Sequence, residues 1–391
     1  MKKILIYDDD EKWATSLKRG LEELAILSDV FEIVVLTEET FRTSMSVQEE
    51  RQRSFREKGK WHDKKIELDK ASIFIVDYDL FETNAFLTGE DVAYFARCFS
   101  DCGSIIALNQ PPISDFDLTL RGHPKSFADL NISGEQLSNP NLWGGTGSDF
   151  RPWYWPLLPN HHSDFEKKVE DVKQNLDRPV CEVLNDGFDP ELFDMLPRAL
   201  SQFIGNEPSK TTFRKFIEES GNGLRRKDIV TGANEKVLAR VGAARISKWL
   251  ERLILPELDI LVDAPHLASR YPSLLIGDKA DIETWNRTAK LASHTELGLQ
   301  VEMIEPYRLK KDYWLSRPAW FWDGLRECED ILEVREPWSA TRPDWVFCED
   351  ISRFSTEDYR EFIADVESPF ARRFVKYFDN LEYRPRVRFS L

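Results

Sequence analysis

The chain of 391 residues is short of cysteine, of histidine, of long apolar runs and of positive charge. Its five cysteines (Cys98, Cys102, Cys181, Cys328, Cys348) are odd in number and scattered. That excludes a disulfide framework and a paired CxxC zinc site, and it reads as the reduced thiols of a cytoplasmic protein. Of the six histidines, His161, His162 and His266 have no cysteine or carboxylate at metal-ligand spacing such as HExxH, and they read as loop or core residues. The opening MKKILIY is basic and then apolar like a signal peptide, but the apolar run stops at Asp8. No span of 18 apolar residues follows, so neither a cleaved leader nor a membrane partner is expected. Lys and Arg number 53 against 69 Asp and Glu, a net charge of −16, which excludes general coating of nucleic acid. The glycine-rich GGTGS at 144–148 lacks the Lys-Ser/Thr ending of a phosphate loop, and no GxSxG, internal repeat or heptad run is present.

Aromatic residues, by contrast, are plentiful. Twelve Trp, 25 Phe and 10 Tyr specify packed cores, and the length suits two or three domains. Residues 3–7 (KILIY), 31–36 (FEIVVL), 72–76 (SIFIV) and 103–108 (GSIIAL) are short apolar, β-branched runs that fit strands buried on both faces. Helical spacing separates them, with Trp13, Leu17, Leu21 and Leu24 in 11–27 and Val92, Phe95, Ala96 and Phe99 in 89–99. This alternation predicts an α/β fold with an open parallel sheet over residues 1–135. Segment 40–68 is charged and lacks an apolar stripe, so it reads as an exposed helix or mobile insertion. Residues 136–163, with Trp143, Trp153, Tyr154 and Trp155, read as a packed aromatic connector. From 164 to 391 the pattern becomes mainly helical (164–176, 190–204, 210–220, 234–254, 281–293, 355–367 and 369–378), with hints of strands in VEMIEPYRL, DWVFCED and YRPRVRFSL.

Ligands of an open parallel sheet collect at the carboxyl ends of its strands. There the first run ends in Asp8-Asp9-Asp10, the third in Asp77 with Asp79 two residues on, and the fourth in Asn109. If the first and third strands are neighbours, Asp8, Asp9 and Asp77 converge. Carboxylates ~4 Å apart repel by about 4 kcal/mol at an effective dielectric near 20, so such a pocket calls for a cation, and oxygen-only ligands suit Mg²⁺. The bland alternative is acidic capping of strand ends.

KILIYDDDEKWATSL, SIFIVDYDLF and GEDVAYFARCFSDCGSIIALN together resemble the receiver domain of two-component response regulators, over about the first third of the chain. The resemblance implies a flavodoxin-like sheet with Asp77 as phosphoacceptor. It also implies Asp9 as a direct Mg²⁺ ligand, Asp8 as a ligand through water and Asp79 as a ligand through its backbone carbonyl. The phosphodonor would be a histidine kinase or another donor. Two departures stand out. Asn109 occupies the switch position where the family has Thr or Ser, and Lys125 precedes the strand-like FADLNI where the family has a Lys after its fifth strand. The expectation is a signalling protein that acts through a protein partner of its helical part, with no catalysis beyond self-phosphorylation.

Two other functions compete. Residues 209–252 hold eleven basic against five acidic residues, so Arg225, Arg226, Lys227, Arg240, Arg245 and Lys248 form a candidate basic patch for nucleic acid, with Arg384, Arg386 and Arg388 in 384–388 as a second. The alternative for this segment is a helical face that pairs with the protein's own acidic surface. Third, the same Asp8/Asp9/Asp77 pocket would serve an Mg²⁺-dependent phosphohydrolase.

Overall fold

The computed structural model describes residues 1–61, 63–80, 87–108, 125–144, 158–185, 196–230, 232–258, 260–271, 301–326, 328, 346–351, 353–356, 358–361 and 373–379. Five strands, β1 (Lys2–Tyr7), β2 (Phe31–Val35), β3 (Ala71–Asp77), β4 (Ser104–Leu108) and β5 (Leu130–Ile132), form one sheet in the order β2-β1-β3-β4-β5. Every pairing is parallel. β3 and β4 are buried along their whole length, which is why their sequences are apolar without alternation.

The two faces of the sheet are covered differently. Ile4, Ile6, Ile73, Ile75, Ile106 and Leu108 pack on one face with Leu17 and Leu21 of helix α1 (Glu11–Glu22) and with Trp143. Leu5, Tyr7, Phe74, Val76, Ile105 and Ala107 face the other way, into a core that continues without a break into the second half of the chain. Three elements of that half are α4 (Leu158–Gln174), α5 (Phe213–Glu219) and α6 (Glu235–Trp249). Their Val172, Ile217, Val241 and Trp249 share the core with the sheet residues and with Trp314. The helical part thus serves as a cover of the sheet.

This explains a difference from the sequence reading at 40–68. Residues Glu38–Lys58 form one 21-residue helix, α2, that is neither free nor fully exposed. It buries Phe41, Met45, Val47 and Phe55 and also Ser44, Gln48, Arg51 and Gln52. The polar side chains hide the apolar stripe in the sequence, yet two of them find partners inside: Arg51 pairs with Asp69 at 2.8 Å and donates to the Phe99 carbonyl at 2.7 Å, and Gln52 donates to Asp228 at 3.0 Å. The crossover between β3 and β4 is α3 (Gly89–Phe99), at the expected position.

Other expectations shift. The helix expected from 164 begins at Leu158, since a proline at the second position of a helix is tolerated in its unpaired first turn. Residues Val301–Ile304 are helical and Glu305–Tyr307 a 3-10 turn where VEMIEPYRL hinted at a strand. Conversely β10 (Arg360–Glu361) and β11 (Phe374–Val375) lie inside segments expected as helices, and β9 (Arg353–Ser355) ends where the first of those segments is expected to begin. They join β8 (Val346–Cys348) in the order β10-β11-β8-β9, so long-range pairing overrides local helical spacing. A further antiparallel pair joins β6 (Leu261–Asp263) to β7 (Ala319–Phe321). All five cysteines are free thiols, and no helix among the described residues is long and apolar enough to cross a membrane. Trp153, Tyr154, Trp155 and the helix expected at 281–293 lie outside the described residues.

Candidate metal centre at the carboxyl edge of the sheet

After β1 the chain moves to β2 on one side and then crosses to β3 on the other, so the carboxyl ends of β1 and β3 flank the point where strand order reverses. In open parallel sheets such a switch point is where ligands collect. Asp8 and Asp9 follow β1 directly, and Asp77 is the last residue of β3, in register with Leu108 of β4. Asp8 and Asp77 are buried and Asp9 is half-buried. Each offers a carboxylate oxygen, and these three oxygens lie within 4.8 Å of one another. Two charges at that separation repel by roughly 3 kcal/mol at an effective dielectric near 20. A hard divalent cation relieves the repulsion, and an octahedral Mg²⁺ with oxygens at about 2.1 Å suits an all-carboxylate set that also keeps water. The residues present therefore fit Mg²⁺.

Local structure holds the three in place. Asp8 Oδ1 accepts the Asp10 N–H at 2.9 Å, closing a tight turn. Asp10 in turn caps α1 by accepting from Lys12 N at 2.9 Å and Trp13 N at 3.4 Å. Two of the three consecutive aspartates thus serve the pocket, and the third serves the helix. On the β3 side, the amino end of α3 presses on the strand: a Cβ on Gly89 would lie 2.4 Å from the Asp77 carbonyl oxygen and 2.6 Å from Tyr78 Cα, so only glycine fits. Thr88 and Asp91 form a reciprocal cap on that helix.

The remaining expected site residues fall elsewhere. The Asp79 side chain is exposed and outside the cluster. Asn109 lies outside the described residues. Ser133 follows β5, and the exposed Lys125 precedes it, so the residue directly after the fifth strand is not a lysine.

The candidate basic patch is not assembled: its segment is the alternative, a helical face turned to the protein itself. Arg240, Arg245 and Lys248 are buried on α6, and they reach carbonyls of the loops that lead into β4 and β5. Arg240 donates to Cys102 O, Lys248 to Ala128 O, and Arg245 to Ser126 O at 2.8 Å and Asn222 O at 2.6 Å. Loop carbonyls covered by a packed helix must find donors, and these long cations supply them. Arg225 pairs with Asp91 of α3 at 2.8 Å and lies over the Tyr94 ring. Arg226 and Lys227 are exposed, and 384–388 lie outside the described residues. No continuous basic surface is formed by the described members of the set.

Sequence reasoning missed two buried charge networks. Asp228 sits between the two parts of the chain and accepts from Gln52 at 3.0 Å, from Arg56 at 2.5 Å and from the Tyr94 hydroxyl. A lone Asp in RRKDIV gives no such signal. In the second network His266 bridges Asp263 and Glu349, and Arg373 joins at Glu349. Burial raises both carboxyls, but His266 and Arg373 outweigh it, holding Asp263 down at about 2 and Glu349 below its ordinary value. VDAPH carries a partial signal, because Asp263 also caps the helix Ala264–Arg270 that presents His266.

Comparison with protein-family models, with curated proteins and with solved structures finds no match to this chain. The functional reading therefore rests on the geometry of the carboxyl edge.

Proposed function

We propose that the protein is a signalling protein whose amino-terminal sheet is a receiver-like, flavodoxin-like module, regulated by Mg²⁺ and a phosphoryl group at Asp77. The observation that carries this reading is the meeting of Asp8, Asp9 and Asp77 at the switch point of an all-parallel β2-β1-β3-β4-β5 sheet. Asp8 and Asp9 would hold Mg²⁺, which supplies charge neutralisation for an incoming phosphoryl group. An Asp77 carboxylate oxygen attacks phosphorus, the bond from phosphorus to the donor breaks, and an aspartyl phosphate remains. The donor is a phosphohistidine of a kinase or a small acyl phosphate.

The route to the helical part is short. Gly89 of α3 packs on the Asp77 carbonyl, and two residues further along α3 Asp91 binds Arg225. One turn on, Tyr94 binds Asp228. A shift of the β3 loop is thereby felt at residues 225–228, and the output is a protein partner of the helical part. Burial of Arg240, Arg245 and Lys248 counts against nucleic acid as that partner.

The test is intact-protein mass after incubation with Mg²⁺ and acetyl phosphate. One added phosphoryl group on wild type and none on Asp77→Asn is expected. Steady release of inorganic phosphate with no lasting adduct would instead make the pocket a phosphohydrolase.

A further inference from the structure

The sheet has two outer strands, and they differ. β5 is three residues long and passes almost at once into the helical segment Gly134–Leu137, so it offers little to pair with. β2 is a regular five-residue strand, FEIVV, in unbroken register with β1 from Phe31 to Val35. Among the described residues no strand pairs with its outer side. An open trough of about 740 Å³ runs beside it, along all of Phe31–Val35 and the Thr15, Lys18, Arg19 and Glu22 side of α1. Ile26 and Val30, which lead into the strand, are exposed.

Native edge strands are guarded by proline, by a bulge, by charge or by a cover, because a bare edge templates pairing with another strand. β2 has no proline and no bulge, and its one charge, Glu32, is met by Lys3 of β1 at 3.5 Å. Leu36 N donates to Ile6 O and Lys2 N to Val30 O, so the even-numbered residues bond to β1 and the backbone groups of Phe31, Ile33 and Val35 point outward. An antiparallel copy of the same strand centred on Ile33 fits those groups. Phe31 then exchanges hydrogen bonds with the partner's Val35, and Ile33 with the partner's Ile33. Glu32 falls opposite the partner's Val34, so no like charges stand opposite each other. The α1 wall is mixed in sign, Lys18 and Arg19 with Glu22, and sets up no one-signed repulsion between copies.

We propose that β2 pairs antiparallel with β2 of a second copy of this chain, forming an isologous dimer with one continuous sheet. The self-complementary register selects a second copy over an unrelated strand. Strand direction reverses across the join, so the two Asp8/Asp9/Asp77 pockets open at opposite ends of the shared sheet. The interface therefore needs neither metal nor phosphorylation, and it stands apart from the reading of Asp77.

The test is sedimentation velocity of the full chain over a wide concentration range, in Mg²⁺-free buffer with a chelator. A dimer that dissociates on dilution is expected. Val35→Pro removes an outward N–H that β1 does not use, so it should abolish the dimer while leaving the circular-dichroism spectrum unchanged. Position 34 tests the register: a Glu there faces the partner's Glu32 and a Lys there attracts it, twice per dimer. Val34→Glu should bind its own copy about tenfold more weakly than Val34→Lys, although both lose the same apolar side chain. A wild-type chain that stays monomeric overturns the proposal and leaves the edge to a strand of another protein. A dimer that survives Val35→Pro, or one indifferent to the sign of charge at position 34, places the contact elsewhere and also overturns it.

Discussion

The two edges of the parallel sheet carry opposite charge and use it for opposite ends. At the carboxyl edge three carboxylates converge from two strands to within 4.8 Å. At the amino edge Arg240, Arg245 and Lys248 are buried against the carbonyls of residues 102, 126 and 128. The first arrangement holds like charges together, which invites a cation. The second spends each cation on a covered carbonyl, which locks the helical part onto the sheet. Charge clusters of similar density in the sequence therefore make a candidate site in one place and a seam in the other, and the sheet's direction tells them apart.

The seam is where the largest effects are expected. Replacing Asp228 by Ala strips Gln52, Arg56 and Tyr94 of their common acceptor, and leaving buried donors and a cation uncompensated costs about 3–5 kcal/mol. Denaturant unfolding should show that loss, and a change under about 1 kcal/mol would mean that Asp228 does not hold the two parts together. Arg245→Met should cost roughly 2–3 kcal/mol, because the carbonyls of Ser126 and Asn222 lose their donor. Its affinity for a generic nucleic acid should stay as weak as that of wild type. A selective fall in nucleic-acid binding would break the distinction between seam and site.

Titration sharpens it further. Burial pushes His161 from 6.5 down to about 4, so between those values the unfolded chain binds a proton that the folded chain refuses. Stability should therefore rise with pH through this window and fall, by up to about 3 kcal/mol from this group, as pH drops from 6.5 to 4. His161→Gln should flatten the slope in pH-dependent unfolding, and an unchanged slope would assign it to other groups.

Much of the sheet could be read from the chain because β1, β3 and β4 are buried on both faces and so are apolar without interruption. The same pattern located the carboxyl edge, since Asp8, Asp9 and Asp77 stand where apolar runs stop. The seam was not legible. Gln48, Arg51 and Gln52 make α2 look like a solvated helix, although Arg51 and Gln52 bond to residues 13 to 176 positions away in sequence. Arg240, Arg245 and Lys248 share one helical face, as a nucleic-acid surface requires, and only tertiary packing reveals that the face is covered. The strands at 353–355 and 374–375 exist through pairing with β8, which no local spacing encodes.

A smaller effect separates the three neighbouring aspartates. Asp10→Ala removes the α1 cap and should cost about 1 kcal/mol of stability while leaving the metal pocket intact. Thermal unfolding with and without Mg²⁺ checks both halves: a lower melting point, and an undiminished rise on adding Mg²⁺.

The most direct measurement is calorimetric titration of Mg²⁺ into wild type, Asp9→Asn, Asp77→Asn and Asp10→Asn. One saturable site in wild type and Asp10→Asn, lost in Asp9→Asn and Asp77→Asn, is the predicted result. Absence of Mg²⁺ binding in wild type, or binding indifferent to Asp9 and Asp77, would contradict the assignment of the carboxyl edge as a metal centre.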